Sequence, residues 1–308
     1  MKKQIVKSIR LLLFMPFHFL NGISSIYSKF LNLIDPNGSE RYWEELTQRQ
    51  IDKRINSGFR FKHDDYETKI FDKSKKLKFY TPSRIASYRA HTFFSKEKDT
   101  LEWIEKYGDK NKVFFDIGAN IGVYTLFYAA THNSKVYSFE PSFRNLDLLV
   151  RNIVLNNLSD NISIISNPVF DRQLINNFSQ ARNIAGMSEA TFGSRKKEGV
   201  HNYFSRFNEA STNYKTLSIS IDKLIEDSVI QKPNLIKIDV DGNEIEVLKG
   251  ARKTIESGNC NSILVETRND TTDVIGKILT DSGFKRSFDF EHKDITKVDD
   301  WNEIWLRG

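Results

Sequence analysis

Residues 113–125 read Val113-Phe114-Phe115-Asp116-Ile117-Gly118-Ala119-Asn120-Ile121-Gly122-Val123-Tyr124-Thr125, and this stretch decides the fold. Val113–Ile117 is a short, continuous apolar run broken only by Asp116, as expected of a strand buried on both faces. Two glycines frame the turn into Ile121–Thr131, whose apolar periodicity predicts a helix. Gly118 and Gly122 permit close backbone approach to a ligand. A dinucleotide site would have Gly-x-Gly-x-x-Gly here, with a pyrophosphate on the helix N-terminus. The actual spacing is Gly-x-x-x-Gly with an acid directly before it. An acidic entry suits a ligand with a cationic end better than a pyrophosphate.

Downstream, Lys135–Phe139 is a second predicted strand, and it delivers Glu140 and then Pro141. An acid at the end of the next strand is the expected partner for ribose hydroxyls. Asp116 and Glu140 are 24 residues apart, about one β-α-β step. The alternation then continues with a helix over Ser142–Leu158, strands at Ile162–Ile165 and Leu235–Asp239, and a helix over Asn243–Glu256. Strand Ser262–Glu266, helix Thr272–Ser282 and terminal strands Phe284–Phe288 and Glu303–Leu306 complete it. Such alternation predicts an α/β fold, a mostly parallel sheet with helices on both faces. Residues 172–214 break the rhythm. They are polar and weakly periodic, and lead to a strand-like run at Thr216–Ile221.

A third motif, Leu235-Ile236-Lys237-Ile238-Asp239-Val240-Asp241-Gly242-Asn243-Glu244, brings two carboxylates to the same sheet edge. Three roles compete. Asp239 serves as general base or substrate orienter; Asp239 and Asp241 together hold a hard cation; or Asp241 caps the following helix.

The set DIGANIG, SFEP, IKIDVDGNEIEVLKGA and ILVE resembles the FkbM family of methyltransferases, over roughly residues 80–270. The stretch YRAHTFFSKEKDTLEWIEKYGDKNKVFFDIGANIG resembles one subgroup of that family. Asp241 departs from the pattern, where the family usually has Glu, and residues after Asp171 diverge. The resemblance implies a class I methyltransferase (Rossmann-like) fold with a seven-stranded sheet, and S-adenosylmethionine as cofactor. It implies O-methylation of a hydroxyl, with sugars, glycans and natural products as acceptor classes. By position it implies a cofactor site of Asp116, Gly118, Ala119, Asn120, Gly122, Glu140 and Pro141. Asn167 and Asp171 are implied near the adenine, and Glu97 and Thr100 as residues closing the site. The candidates for a general base are Asp239, Glu266 and His91.

The 308 residues divide by pattern into an apolar N-terminal segment (1–34), an N-terminal α/β extension or cap (35–110) and a methyltransferase domain (111–308) with a variable insertion (172–214). Residues 40–56 read as a charged helix, and strand-like pieces lie near Tyr66–Phe71 and Leu77–Tyr80 within a mixed aromatic and basic stretch, 57–95. Lys98–Tyr107 reads as a short amphipathic helix. The net charge of +6 is spread thinly, richest at Lys73–Lys78 and Arg195–Lys197. No basic stripe with interleaved aromatics points to nucleic acid. The single cysteine, Cys260, excludes an intramolecular disulfide, reads as a packing residue and favours a cytoplasmic setting. Lys2, Lys3, Lys7 and Arg10 precede about ten apolar residues, too few to span a bilayer. That segment suits a helix packed on the protein, a peripheral membrane or partner contact, or a signal or anchor. Two other readings stand beside the methyltransferase: a nicotinamide dehydrogenase, which the missing third glycine disfavours, and a non-catalytic scaffold at a membrane surface.

Overall fold

The structure is a computed structural model that describes residues 65–69, 76–180, 184–188, 190–193, 212–288 and 300–308. The apolar segment 1–34 and the charged helix expected at 40–56 lie outside the described residues. In chain order the elements are β1 (Asp65–Lys69), β2 (Lys76–Tyr80), α1 (Arg84–Lys96), α2 (Lys98–Tyr107), β3 (Phe114–Ile117), α3 (Val123–His132), β4 (Val136–Phe139), α4 (Phe143–Leu155) and β5 (Ile162–Ile165). There follow β6 (Ile175–Gln180), β7 (Ala190–Phe192), β8 (Thr212–Leu217), α5 (Ile221–Glu226), β9 (Leu235–Ile238), α6 (Glu244–Gly250) and α7 (Arg252–Glu256). The last are β10 (Ser262–Arg268), α8 (Thr272–Asp281), β11 (Phe284–Ser287) and β12 (Asp300–Arg307).

Seven strands form the main sheet in the order β11-β12-β10-β9-β3-β4-β5. The inner pairs β10·β9, β9·β3, β3·β4 and β4·β5 are parallel, while β12 runs antiparallel to both of its neighbours. The chain order reverses at β3, which pairs with β4 on one side and β9 on the other. That is the switch point at which open α/β sheets leave a crevice beyond their carboxyl ends.

Each central strand is buried on both faces because consecutive side chains serve two different cores. Phe114, Leu235 and Leu264 pack with Leu101, Trp103, Phe127 and Leu148. Phe115, Ile236 and Ile263 pack with Val247, Leu248 and Ile275 on the other face. Leu77, Phe79, Ala86, Ala90 and Phe93 belong to the first of these cores, so residues 77–107 are packed continuously with the sheet. Trp103 seals this contact by donating its indole N–H to Ser262 Oγ at 2.7 Å.

Three departures from the sequence reading have physical causes. Helix α1 lies where only mixed aromatic and basic residues were read. Its signals are Ser83, whose Oγ accepts the Ala86 N–H as an N-cap, and the buried stripe Ala86, Ala90 and Phe93 at helical spacing. The helix expected over 243–256 is broken at Ala251, whose φ of −111° and ψ of 9° separate α6 from α7. Within 172–214, β6, β7 and β8 form a three-stranded antiparallel sheet of order β7-β6-β8. Its strands are polar, so register pairing rather than hydrophobic alternation creates them. The strand expected at Thr216–Ile221 accordingly starts earlier, at Thr212, and Ile219 instead bridges Val169.

Candidate active site

Period-two geometry aligns one polar track on a single face of the sheet near its carboxyl edge. In the β3·β4 register Asp116 lies beside Ser138, and in the β3·β9 register it lies beside Lys237. Asp239 is two residues beyond Lys237 and so on the same face. Val265 pairs with Ile238, which sets Glu266 beside Asp239, and Glu266 in turn pairs with Asn302. The sheet therefore brings together Asp116, Lys237, Asp239 and Glu266.

Asp116 is fully buried. Thr125 donates to its Oδ2 at 2.6 Å and sits 2.8 Å from Ser138 Oγ. Burial pushes the Asp116 carboxyl above its ordinary range, with the Lys237 charge opposing. The ammonium of Lys237, only 1% exposed, donates to Asp239 Oδ2 at 2.8 Å and lies 5.0 Å from the centre of the Tyr124 ring. Tyr124 donates its hydroxyl to Glu97 Oε2 at 2.6 Å. Burial works against the charge on Lys237. The surrounding carboxylates of Asp239, Asp116 and Glu97 outweigh it and hold the ammonium above its usual range. Asp239 shows the mirror image: burial opposes ionisation, but Lys237, with Arg89 and Lys96, holds the carboxyl below its usual range. Glu266 is pushed up to about 10, first by the charge of Asp239, then by burial, Asp241, Glu244 and Asp300. At neutral pH Asp239 is thus ionised and Glu266 protonated.

The glycine turn links the tips of β3 and β4. Gly118 and Ala119 donate to the Phe139 carbonyl at 2.9 and 3.0 Å. Asn120, with φ of 52°, donates its backbone N–H to Glu140 Oε2 at 2.8 Å, and Ser142 donates its backbone N–H to Oε1 at 2.8 Å. The glycine at 118 is demanded by the protein itself. Its φ is +87°, and a Cβ there would stand 1.8 Å from the Asp239 carbonyl oxygen. At Gly122 the space is filled by Leu149.

Around Glu140 the structure closes a ring of amides that the sequence did not announce. Ser142 Oγ donates to Gln180 Oε1 at 2.8 Å, and Gln180 Nε2 donates to the Met187 carbonyl at 3.1 Å. Asn145 Nδ2 and Asn120 Nδ2 reach the same carbonyl at 2.9 and 3.1 Å. Asn145 Oδ1 also accepts the Gly186 N–H at 2.9 Å. The segment 184–187 is thereby strapped over the turn. Asn145, Gln180 and Ser142 belong to no local motif, and only their burial at 2% or less marks them.

The remaining candidates fall in different places. Asp171 has an Oδ1 buried without a hydrogen-bond partner, with Arg172 Nε 3.8 Å away. Asn167 is partly buried and donates Nδ2 to the Leu217 carbonyl at 2.9 Å. Pro141 accepts the Tyr214 hydroxyl at 2.9 Å. Thr100 is fully buried, with Asn302 Nδ2 3.4 Å from its hydroxyl. His91 is not brought to the polar track. It is exposed on α1, and its Nδ1 is 2.8 Å from the Ser87 carbonyl of its own helix. It lies about 200° around the helix from Arg89.

Asp241 does not cap α6. It adopts φ of 55° and its Oδ2 accepts the Ala190 N–H at 3.2 Å. The loop is instead held by Glu244, whose Oε1 accepts from Gly242 at 2.7 Å and Val240 at 3.3 Å. Asp239 and Asp241 thus engage different partners. Among the described residues no group of three or more His, Cys, Asp or Glu is arranged to hold a metal ion. Cys260 is buried, as its neighbourhood implied. Among the described residues no helix is long and apolar enough to cross a membrane.

Glu140 and Glu244 make a pH prediction. Both are nearly fully buried, and burial raises each from 4.5 to about 7. The folded state therefore binds more protons than the unfolded chain between these values, so stability is full below about 4.5 and declines as pH rises to about 7. At 1.36 kcal/mol per tenfold, each group contributes roughly 3 kcal/mol to that decline. Urea unfolding should give a lower midpoint at pH 8 than at pH 5, and Glu140→Gln and Glu244→Gln should each flatten the difference.

The sheet order, the antiparallel β12 and the acid-bearing switch point define a class I methyltransferase fold, Rossmann-like and mostly parallel. The chain belongs to the Methyltransferase FkbM domain family, whose profile matches residues 116–295. It is similar to "Hexuronic acid methyltransferase AglP" of Haloferax volcanii, 28% identical over 186 residues, which are 60% of this chain and 69% of that protein. It is also similar to "Methyltransferase sdnD" of Sordaria araneosa, 26% identical over 46% of this chain and 60% of that protein. Among solved structures, the methyltransferase FkbM from Methylobacillus flagellatus aligns with a TM-score of 0.42 and 14% identity, covering 73% of this chain and 55% of that one.

Proposed function

We propose that the chain is an S-adenosylmethionine-dependent O-methyltransferase acting on a hydroxyl of a sugar, glycan or natural-product acceptor. One observation carries the cofactor reading. Asp116 Oδ1, Asn120 Oδ1 and Asp171 Oδ1 are buried with no hydrogen-bond partner among the described residues. Buried acceptors without partners are costly and call for an explanation. All three lie in the segments expected to hold the cofactor, and all three are acceptors. S-adenosylmethionine presents donors to match: an ammonium, ribose hydroxyls and an adenine amine. The assignment of Asn120 follows from its Nδ2, which already donates to Met187. The residues present therefore fit the group.

Asp116 and Asn120 would take the ammonium, Glu140 the ribose hydroxyls, and Asp171 the adenine side. Each Glu140 oxygen already accepts one backbone N–H and retains a second lone pair. The cofactor supplies a methyl group made electrophilic by its sulfonium. Asp239, held ionised, accepts the hydroxyl proton of the acceptor and orients that oxygen. Glu266, held protonated beside it, donates a hydrogen bond to an acceptor oxygen. An acceptor rich in hydroxyls suits this pair of one donor and one acceptor, and AglP, a relative named for a sugar acid, supports that class.

Asp116→Ala and Glu140→Ala should each weaken S-adenosylhomocysteine binding by about tenfold or more while the unfolding midpoint stays cooperative. Titration calorimetry checks this, and unchanged affinity in both variants overturns the cofactor site. A screen of hydroxylated acceptors with methyl-labelled cofactor tests the acceptor class.

A further inference from the structure

A cofactor with an amino-acid end brings a carboxylate as well as an ammonium. The acids at the turn suit the ammonium and repel the carboxylate, so that group needs a cation within reach. Among the described residues, Lys237, Arg89 and Lys96 act on Asp239 in the polar track. Lys237 is committed to Asp239 at 2.8 Å. Lys96 is half-exposed and lies 3.6 Å from Glu97. Arg89 is different. It is partly buried on α1, and its Nε donates to the Gly186 carbonyl at 2.6 Å. Its two terminal nitrogens have no hydrogen-bond or ion-pair partner among the described residues.

The strap fixes where that guanidinium stands. Gly186 and Met187 carry consecutive carbonyls; the first holds Arg89 and the second holds the Asn120 amide at 3.1 Å. Asn120 Oδ1 and Asp116 Oδ1 are the unpartnered acceptors of the turn. Ser83 fixes the near end of the strap to the start of α1 by donating to the Ala185 carbonyl at 2.6 Å. Arg89 and the glycine turn are thus held by consecutive carbonyls of one short strap. Arg89 also stands close enough to Asp239 for its charge to help hold that carboxyl low.

We propose that Arg89 is the counter-ion for the carboxylate at the amino-acid end of the cofactor, which rests on the reading that this chain binds S-adenosylmethionine. A guanidinium already anchored through Nε has its remaining donors pre-oriented, and a forked pair matches a carboxylate. Helix α1 thus contributes directly to the cofactor site, and residues 184–187 transmit its position to Asn120.

The test is calorimetry with two nucleosides, S-adenosylhomocysteine and methylthioadenosine, the second of which lacks the amino-acid end. Arg89→Met should lose S-adenosylhomocysteine affinity by about ten- to a hundredfold and keep wild-type affinity for methylthioadenosine. Arg89→Lys should recover part of the loss. Retained methylthioadenosine binding doubles as proof that the variant is folded. Wild-type affinity of Arg89→Met for S-adenosylhomocysteine, or equal loss of both nucleosides, overturns the assignment while leaving the cofactor reading intact. Failure of the wild-type protein to bind either nucleoside removes both.

Discussion

Replacing Lys237 with methionine should destabilise the protein by about 3–5 kcal/mol, the largest single-residue effect expected outside the apolar core. The ammonium is 1% exposed, and an isolated charge at that depth is prohibitive. It is tolerated because Asp239 accepts from it at 2.8 Å and Asp116 neighbours it in the sheet. Methionine fills similar volume, so packing is largely retained. What it removes is the ammonium that lies between two carboxylates, leaving the fully buried Asp116 without its neighbouring charge and Asp239 without its ion-pair partner. Urea unfolding at pH 7 measures the cost. The double variant Lys237→Met with Asp239→Asn should be more stable than Lys237→Met alone, because the orphaned charge is gone. Equal loss in the single and double variants would mean that charge pairing is not what Lys237 provides.

Asp239→Asn should lower kcat by about a hundred- to ten-thousandfold, the range of a lost general base, with little change in cofactor affinity. Asparagine keeps the shape and removes the charge. Glu266→Gln should change kcat far less, because Glu266, pushed up to about 10, is already neutral at pH 7 and glutamine is neutral too. The contrast separates two carboxyls that stand side by side in one register. Steady-state kinetics with the preferred acceptor, alongside calorimetry with S-adenosylhomocysteine, gives both readouts. Matching losses of kcat and cofactor affinity in Asp239→Asn would make Asp239 a cofactor or folding residue. A larger loss in Glu266→Gln than in Asp239→Asn would move the base to Glu266.

Much of the candidate site was legible along the chain because its residues sit at or near the carboxyl ends of strands. Asp116, Glu140, Asp239 and Glu266 each follow a short, mostly apolar run, and strand ends of a parallel sheet meet at one edge. The pairing of Asp116 with a glycine turn, and of Glu140 with the next strand, needed only β-α-β spacing. His91 went the other way. It stood near the right motifs in sequence, but helix α1 turns it away from Arg89. With no helix recognised at 84–96, nothing in the sequence distinguished the two.

The succession of strands and helices along the chain, the class of fold and the acids near the strand ends were determined by the sequence itself, since hydrophobic period and strand-end chemistry are local properties. Tertiary structure alone decided which acid is charged. Asp239 and Glu266 differ in state because one faces Lys237 and the other faces Asp239, a matter of the register between β9 and β10. It alone decided the amide ring too. Asn120, Asn145 and Gln180 lie on a turn, a helix and a strand far apart in the chain, and they converge on Met187 because a buried carbonyl must find its donors wherever the fold brings them.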